Sequence, residues 1–476
     1  MSDMEWDRLL SPKRAGYYGK TTAQRQGDLR SEFEKDYHRI IGSSSFRRLQ
    51  DKTQVFALDK SDFIRTRLTH SLEVSSFAKS LGQNIAQYLI ENKRDPSFTQ
   101  QTKSDICDIL QCAGLIHDLG NPPFGHFGEE AIRDWFSKNM RGLKYKGRPV
   151  TELLSNQMLQ DFYHFEGNAQ ALRQVSKLHF LVNEYGMNLT YALLNTIMKY
   201  PVSSEEINLK NGNIKYKKMG YFYAEQSLYE MISREMGTEG KRHPLTFILE
   251  AADDIAYRTA DIEDAFKKGC ISYGKLREEL LSAQEKAQAD SSGLNPVAML
   301  DHQYENGILR KVENPQLYAV QNFLVRLQSS LIFCATYGFT SNYGAIMDGT
   351  YPHDIFYRTY AECVVKALGD IACRYAFSSK PILQQEVAAG TILNFLMDRF
   401  VPAVLYYDTE EPLQMMEKKL VALISENYRQ TYHLYAKKAV SEEEKLYLRL
   451  LLVTDFVSGM TDTYAKDLYQ KLNGII

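Results

Sequence analysis

The 476-residue chain contains no apolar run approaching the roughly 20 residues that span a bilayer, which speaks against a membrane protein. Met1–Leu10 carries Asp3, Glu5 and Asp7 and lacks the apolar centre of a signal peptide. Net charge is low, −2 overall, so the composition does not write in general polyanion binding. Cysteine is sparse. Cys107, Cys112, Cys270, Cys334, Cys363 and Cys373 form no CxxC pair and lie in apolar, helix-like segments. That pattern excludes a disulfide framework and a thiolate zinc site, and reads as reduced core thiols in a cytoplasmic protein. Internal repeats and low-complexity tracts are also missing. What remains is an ordinary globular composition, 44% hydrophobic and 24% charged, with room for one large domain or two to three smaller ones.

Helical periodicity dominates what is present. Leu245–Phe266, Gln316–Cys334, Tyr357–Tyr375, Thr391–Leu405 and Glu442–Thr454 carry apolar residues at three- and four-residue spacing. Ile207–Tyr216 is the exception: its alternation around Asn211-Gly212 predicts a β-hairpin. Ala287–Pro296, with Ser291-Ser292-Gly293, and Phe339–Pro352 read as breaks. Between Lys13 and Arg67 stand thirteen Lys/Arg against seven Asp/Glu, either a solvated basic face or a sign of an anionic substrate or nucleic acid nearby.

The densest chemistry lies in His117-Asp118-Leu119-Gly120-Asn121-Pro122-Pro123-Phe124-Gly125-His126-Phe127-Gly128-Glu129-Glu130. Ile106, Ile109, Leu110, Ala113 and Ile116 predict a helix that ends at His117-Asp118. Pro122 and Pro123 stop it, His126 falls on the turn beyond, and Glu129 and Glu130 open the next helix. Firmly held ligand types followed by an acid/base candidate suit metal-assisted hydrolysis. His70, at the start of another helical pattern, and Asp253, inside an apolar helix, are candidates to join His117 and Asp118. A lone helical histidine is more often a satisfied core residue than a ligand. The adjacent Asp253 and Asp254 are harder to dismiss, because a buried carboxylate needs a partner or a cation. Two imidazoles and two carboxylates suit Mn²⁺, Mg²⁺, Fe²⁺, Co²⁺ or Ni²⁺ better than a thiolate-seeking ion.

His70, the His117-Asp118 doublet and Asp253 resemble the four-ligand pattern of HD-domain phosphohydrolases. The likeness narrows further. Phe46–Gln50, Lys52–Phe56, Arg65–Ser71, His117–Glu129, His164–Gln170, Ala251–Tyr257 and Ser458–Asp462 are similar, in order, to segments of bacterial dGTPases, the deoxyguanosine triphosphate triphosphohydrolases. Between about Ile271 and Leu383 the resemblance assigns nothing. It implies a mostly α fold: an HD-domain helical core over residues 1–290 with a basic N-terminal segment and a small β-hairpin insertion. A helical C-terminal region, 291–476, would complete the substrate pocket and the oligomer contacts.

The resemblance further implies one divalent ion per site, Mn²⁺ or Mg²⁺ first, and hydrolysis of a dNTP, dGTP favoured, to deoxynucleoside and inorganic triphosphate. Water would attack the α-phosphorus, with His126 protonating the 5′-oxygen and Glu129 orienting it. Alone, Glu129 reads better as complementing a helix N-terminus; beside His126 the catalytic reading is the stronger. Arg67 would hold the α-phosphate; Asn168, Lys199, Tyr200 and Lys218 would bind phosphates. For Lys218, beside Lys215 and Lys217, a solvated charge run is the alternative. Gln54 would read the sugar 3′-OH and Val55 would lie against the deoxyribose. Asp253, Tyr257 and Asp261 recur every four residues and so share a helix face, placing Tyr257 on the sugar and Asp261 at the 3′-OH. Asp254 and Asp264 fall on other faces and read as structural. Glu386 would touch the guanine edge. A homo-oligomer (a hexamer or other multiple of dimers) and a single-stranded DNA or nucleotide effector belong to the same expectation. The competing readings are another HD-domain nucleotide phosphohydrolase and a nucleic-acid-binding regulator that keeps the fold.

Overall fold

Helices begin where their capping residues stand. The computed structural model describes residues 4–16, 28–54, 65–92, 95–179, 184–288 and 294–475. Thr66 and Thr69 form a reciprocal capping box at the start of the Arg67–Glu91 helix, and Thr99 and Thr102 do so for Gln100–Ile116. Pro244, whose missing N–H is harmless at a first helical position, opens Pro244–Lys267, and the His243 side chain accepts from the Leu245 amide at 3.1 Å. These three helices pack together. A Cβ on Gly114 would fall 2.4 Å from Ser75 Cα, so only glycine lets the first two backbones approach this closely. Val74, Leu81 and Ile85 meet Ile109, Leu110 and Ile116, with Leu249, Ala252 and Ile255 closing the third side. Each buried Val, Leu or Ile among them is worth about 1.5–3 kcal/mol.

A second apolar cluster is built from Ile132 and Phe136 of the Gly125–Asn139 helix, Leu393, Leu396 and Phe400 of Lys380–Val404, and Leu446, Leu450 and Val453 of Glu442–Ser458. Buried ion pairs tie this cluster to the first. Arg173, at the end of the Gly167–Arg173 helix, donates to Asp455 through Nε at 2.7 Å and Nη2 at 2.6 Å, and to Glu225 through Nη1 at 2.8 Å.

Several expectations need correction. Residues 207–216 do not form a hairpin. Asn208 and Asn213 side chains accept from the Lys210 and Lys215 amides and close short 3₁₀ turns instead. The Ile214 amide, which a ladder would use, donates to Pro352 O at 2.9 Å. The strand pair lies at Lys144–Tyr145 and Arg148–Pro149, around Lys146 and Gly147, both at positive φ as a tight hairpin turn demands. Cys373 is exposed, and Cys270 and Cys363 are half-buried; only Cys107, Cys112 and Cys334 are core thiols. Cys373 sits in a π-helical turn, Ala372–Phe377, that breaks the register of the apolar face. One helix, Ile382–Val404, is after all long and apolar enough to cross a membrane by length and composition, although half of that window is buried inside the fold. Its Asp398 accepts from Trp135 Nε1 at 2.7 Å, and it packs on the Gly125–Asn139 helix, so its apolar face belongs to the protein core. The break at Ser291-Ser292-Gly293 and the sugar candidate Val55 lie outside the described residues. The basic excess near the N-terminus is partly internal: Arg14 pairs with Glu32 and Asp36, Arg65 with Glu73, Glu263 and Asp264, and Lys52 is buried.

Candidate active site

Three helices bring the ligand-type residues together. His70 lies in the first turn of Arg67–Glu91, His117 and Asp118 leave the end of Gln100–Ile116, and Asp253 stands midway along Pro244–Lys267. Ligand atoms of His70, His117 and Asp118 all lie within 4.8 Å of one another. Asp253 Oδ1 is 3.2 Å from His70 Nε2 and 3.5 Å from His117 Nε2. Three of the four groups are held from behind. His117 Nδ1 faces Gly114 O at 2.8 Å; a carbonyl only accepts, so Nδ1 carries a proton, and Nε2 is turned to the carboxylates, whose charge outweighs burial and favours the protonated ring. Arg67 Nη1 and Asn121 Nδ2 donate to Asp118 at 2.6 and 2.7 Å, and Lys199 Nζ donates to Asp253 Oδ2 at 2.9 Å. Burial pushes both carboxyls up, but His117 and Arg67 at Asp118, and Lys199 and His117 at Asp253, outweigh it and hold both well below the ordinary range. His117 Nε2 is buried with no hydrogen-bond partner. A buried imidazole nitrogen without a hydrogen-bond partner, converging with two ionised carboxylates, fits a divalent cation, which would take the place of the ring's second proton.

The acid/base pair sits beside this cluster. His126 is the second residue of the Gly125–Asn139 helix, not a turn residue, because Phe124 takes a left-handed φ of 65° and starts the helix at Gly125. Its side chain is 81% exposed and that of Glu129 only 1%, with His126 Nδ1 3.0 Å from Glu129 Oε2. Burial raises the Glu129 carboxyl, but His126 outweighs it and keeps the group ionised. Glu129 Oε1 accepts from the Gly167 amide at 2.8 Å. A Cβ on Gly167 would lie 2.1 Å from Asn121 Oδ1 and 2.6 Å from Glu129 Oε1. The bare glycine is thus where the support of Asp118, through Asn121, meets the support of His126, through Glu129.

Both groups open on one cavity of ≈ 690 Å³. Arg67, Asn168, Lys199, Tyr200, Lys217 and Lys218 line it, as do Gln54, Tyr257, Asp261 and Glu386. Burial, then Asp264, pushes the Asp261 carboxyl up to about 8, so it is neutral at pH 7 and offers a donor as well as an acceptor. Gln54 Oε1 is buried and unpartnered.

The HD-domain family profile matches residues 67–190, the span that supplies His70, His117, Asp118, His126 and Glu129. A deoxyguanosinetriphosphate triphosphohydrolase-like protein of Listeria innocua is 47% identical over 475 residues, covering 99% of this chain and 100% of that protein. The chain belongs to the deoxyguanosinetriphosphate triphosphohydrolase family. A like-named protein of Synechocystis sp. is 32% identical over 484 residues, with 99% and 100% covered. A deoxyguanosinetriphosphate triphosphohydrolase of Yersinia enterocolitica is 31% identical over 517 residues, with 99% covered on both sides. Family likeness therefore includes Ile271–Leu383, where no motif stood out.

Within this family fold the residues singled out from the sequence converge. His70, Asp118, Asp253, His126, Gln54, Arg67, Asn168, Lys199, Tyr200, Lys218, Tyr257, Asp261 and Glu386 line the cavity, while His117 and Glu129 stand just behind its wall. Of the basic residues described between Lys13 and Arg67, only Arg67 reaches it. Lys218 is not simply solvated: its Nζ lies 2.8 Å from the buried Glu166, which also accepts from Asn168 Nδ2 at 2.6 Å. Asp254, read as structural, lines the cavity and pairs with Arg258 at 3.2 Å; Asp264 does sit in the Arg65 ion pairs. Glu250, Arg258, Asp354, Phe377, Ile382 and Gln385 were missed. Glu250 had a readable signal, standing three residues before Asp253 on the same helix face. Asp354 and Phe377 lie in turns and a π-helical segment, where no periodicity points.

Proposed function

We propose that the chain hydrolyses dGTP, and other dNTPs, to deoxynucleoside and inorganic triphosphate by attack of water at the α-phosphorus. The observation that carries this reading is an exposed His126, anchored by a buried Glu129, facing the same cavity as the His70/His117/Asp118/Asp253 cluster. When bound by those four residues, a divalent ion such as Mn²⁺ or Mg²⁺ polarises phosphate oxygens and acidifies water. Arg67 takes the α-phosphate, and Lys199, Tyr200, Asn168 and Lys218 hold the rest of the triphosphate by charge and hydrogen bonding. His126, tied through Nδ1, turns Nε2 to the cavity and gives its proton to the leaving 5′-oxygen, while Glu129 orients the ring. Gln54 Oε1 accepts from the sugar 3′-OH and Asp261 meets it from the other side; Tyr257 packs on the ring and Glu386 faces the base, and the family resemblance alone assigns the 2′ side to Val55. The same reading carries a cytoplasmic enzyme that assembles as a homo-oligomer and responds to single-stranded DNA or a nucleotide.

Incubating the purified protein with each dNTP and NTP and Mn²⁺ or Mg²⁺, and resolving the products, tests it. Triphosphate and deoxynucleoside are expected. Pyrophosphate with a monophosphate, or free phosphate alone, would place the cut elsewhere and overturn the reading.

A further inference from the structure

The exposed His126 ring is packed against little, so its position depends on its bond to Glu129 and on the backbone of the turn before it. That turn holds Phe124 in a left-handed conformation, which a phenylalanine keeps only where its surroundings impose it. The surroundings come from far along the chain. Asp462 is buried, and its Oδ1 accepts from the Phe124 amide at 2.9 Å. Its Oδ2 accepts from the Thr53 amide at 3.0 Å and the Thr53 hydroxyl at 2.6 Å. Thr53 immediately precedes Gln54. Lys52 reinforces the arrangement, its Nζ donating to Asn121 O at 2.6 Å and to Ser458 O at 2.8 Å.

One carboxylate therefore holds two segments that the proposed function assigns to opposite ends of one deoxyribose: Gln54 at the 3′-OH and His126 at the 5′-oxygen. We infer that Asp462 is a positioning residue that fixes Gln54 and His126 relative to each other, so that engaging the 3′-OH aligns the 5′-oxygen with its proton donor. It touches no substrate itself. Because it grips both segments with the two oxygens of one rigid group, it sets their separation in a way two independent bonds would not. The inference rests on the proposed function for its chemical meaning, and on the hydrogen bonds alone for its geometry.

Asp462→Asn keeps the shape but turns one acceptor into a donor that faces a donor. On dGTP, kcat is expected to fall about 10²-fold, the scale of a displaced reacting group, with KM within about threefold and metal content at the parent level. The preference for dGTP over dideoxy-GTP should fall by about fivefold or more, and Gln54→Ala should cost less in the Asp462→Asn background than in the parent. Parent-like kcat and preference, or effects of the two substitutions that simply multiply, would overturn the inference. Thr53→Val removes only the hydroxyl half of the clamp and serves if Asp462→Asn does not fold; it should lower the same preference in the same direction, and an unchanged preference counts against the inference. Amide hydrogen exchange without nucleotide separates the two claims. Faster exchange confined to the peptides containing Thr53 and Phe124 supports the clamp even if the parent releases no triphosphate, which would refute the function alone; unchanged exchange refutes the clamp.

Discussion

Removing one member of a four-residue cation site leaves the other three converging on nothing, so His117→Ala or Asp253→Ala is expected to lose bound metal and hydrolysis together while the protein stays folded. Elemental analysis decides: full metal content in both variants removes them from the ligand set. His126→Ala should keep metal and dNTP binding but lose about 10²- to 10⁴-fold in kcat, the usual contribution of proton transfer. Turnover within a few-fold of the parent would reduce His126 to a helix-start residue. Sugar choice is the third test at this scale. Dideoxy-GTP leaves Gln54 Oε1 and Asp261 without their partner, at roughly 1–3 kcal/mol each, so kcat/KM should drop at least about 30-fold relative to dGTP. Equal cleavage of the two nucleotides would move the 3′-OH site elsewhere.

Among the elements, Pro244–Lys267 carries Glu250, Asp253, Asp254, Tyr257 and Asp261, and its start depends on a neutral histidine. His243 is buried, accepts from the Leu245 amide at Nδ1 and donates from Nε2 to Leu9 O at 3.1 Å, and burial pushes it down to about 4 from 6.5. The folded state thus prefers the uncharged ring. This contribution is complete above pH 6.5 and drains away as pH falls toward 4, by about 3 kcal/mol in all. His243→Asn, which can still cap the helix but does not titrate, should flatten that part of the stability profile. Urea unfolding of parent and variant from pH 7 to 4 checks it; parallel profiles would show that His243 does not titrate across folding. This helix was legible because period 3.6 runs through it and its acids fall at helical intervals. The cavity wall around Asp354 and Phe377 was not, since turns and π-helical geometry carry no period. The Asn211-Gly212 hairpin misled for a related reason: asparagine side chains took over amides that a ladder would have used.

At the scale of the whole molecule, the two apolar clusters are locked by Arg173, whose charge is fully buried between Asp455 and Glu225. Asp455→Ala leaves that guanidinium half-paired, and unfolding free energy should fall by about 3–5 kcal/mol. A loss under about 1 kcal/mol in denaturant titration would mean that Arg173 re-pairs nearby. Such long-range closure is invisible to local patterns: nothing in the run around Asp455 or Asp462 says which distant amide or guanidinium it will meet. It also has a bearing on how the protein is made. Phe124 and the carboxylate that holds it are 338 positions apart. A ribosome that has already released the histidine-aspartate helices must therefore keep translating through most of the remaining chain before the turn bearing His126 acquires its anchor. Unfinished or C-terminally clipped chains would carry His70, His117, Asp118 and Asp253 yet lack the carboxylate that seats the turn before His126.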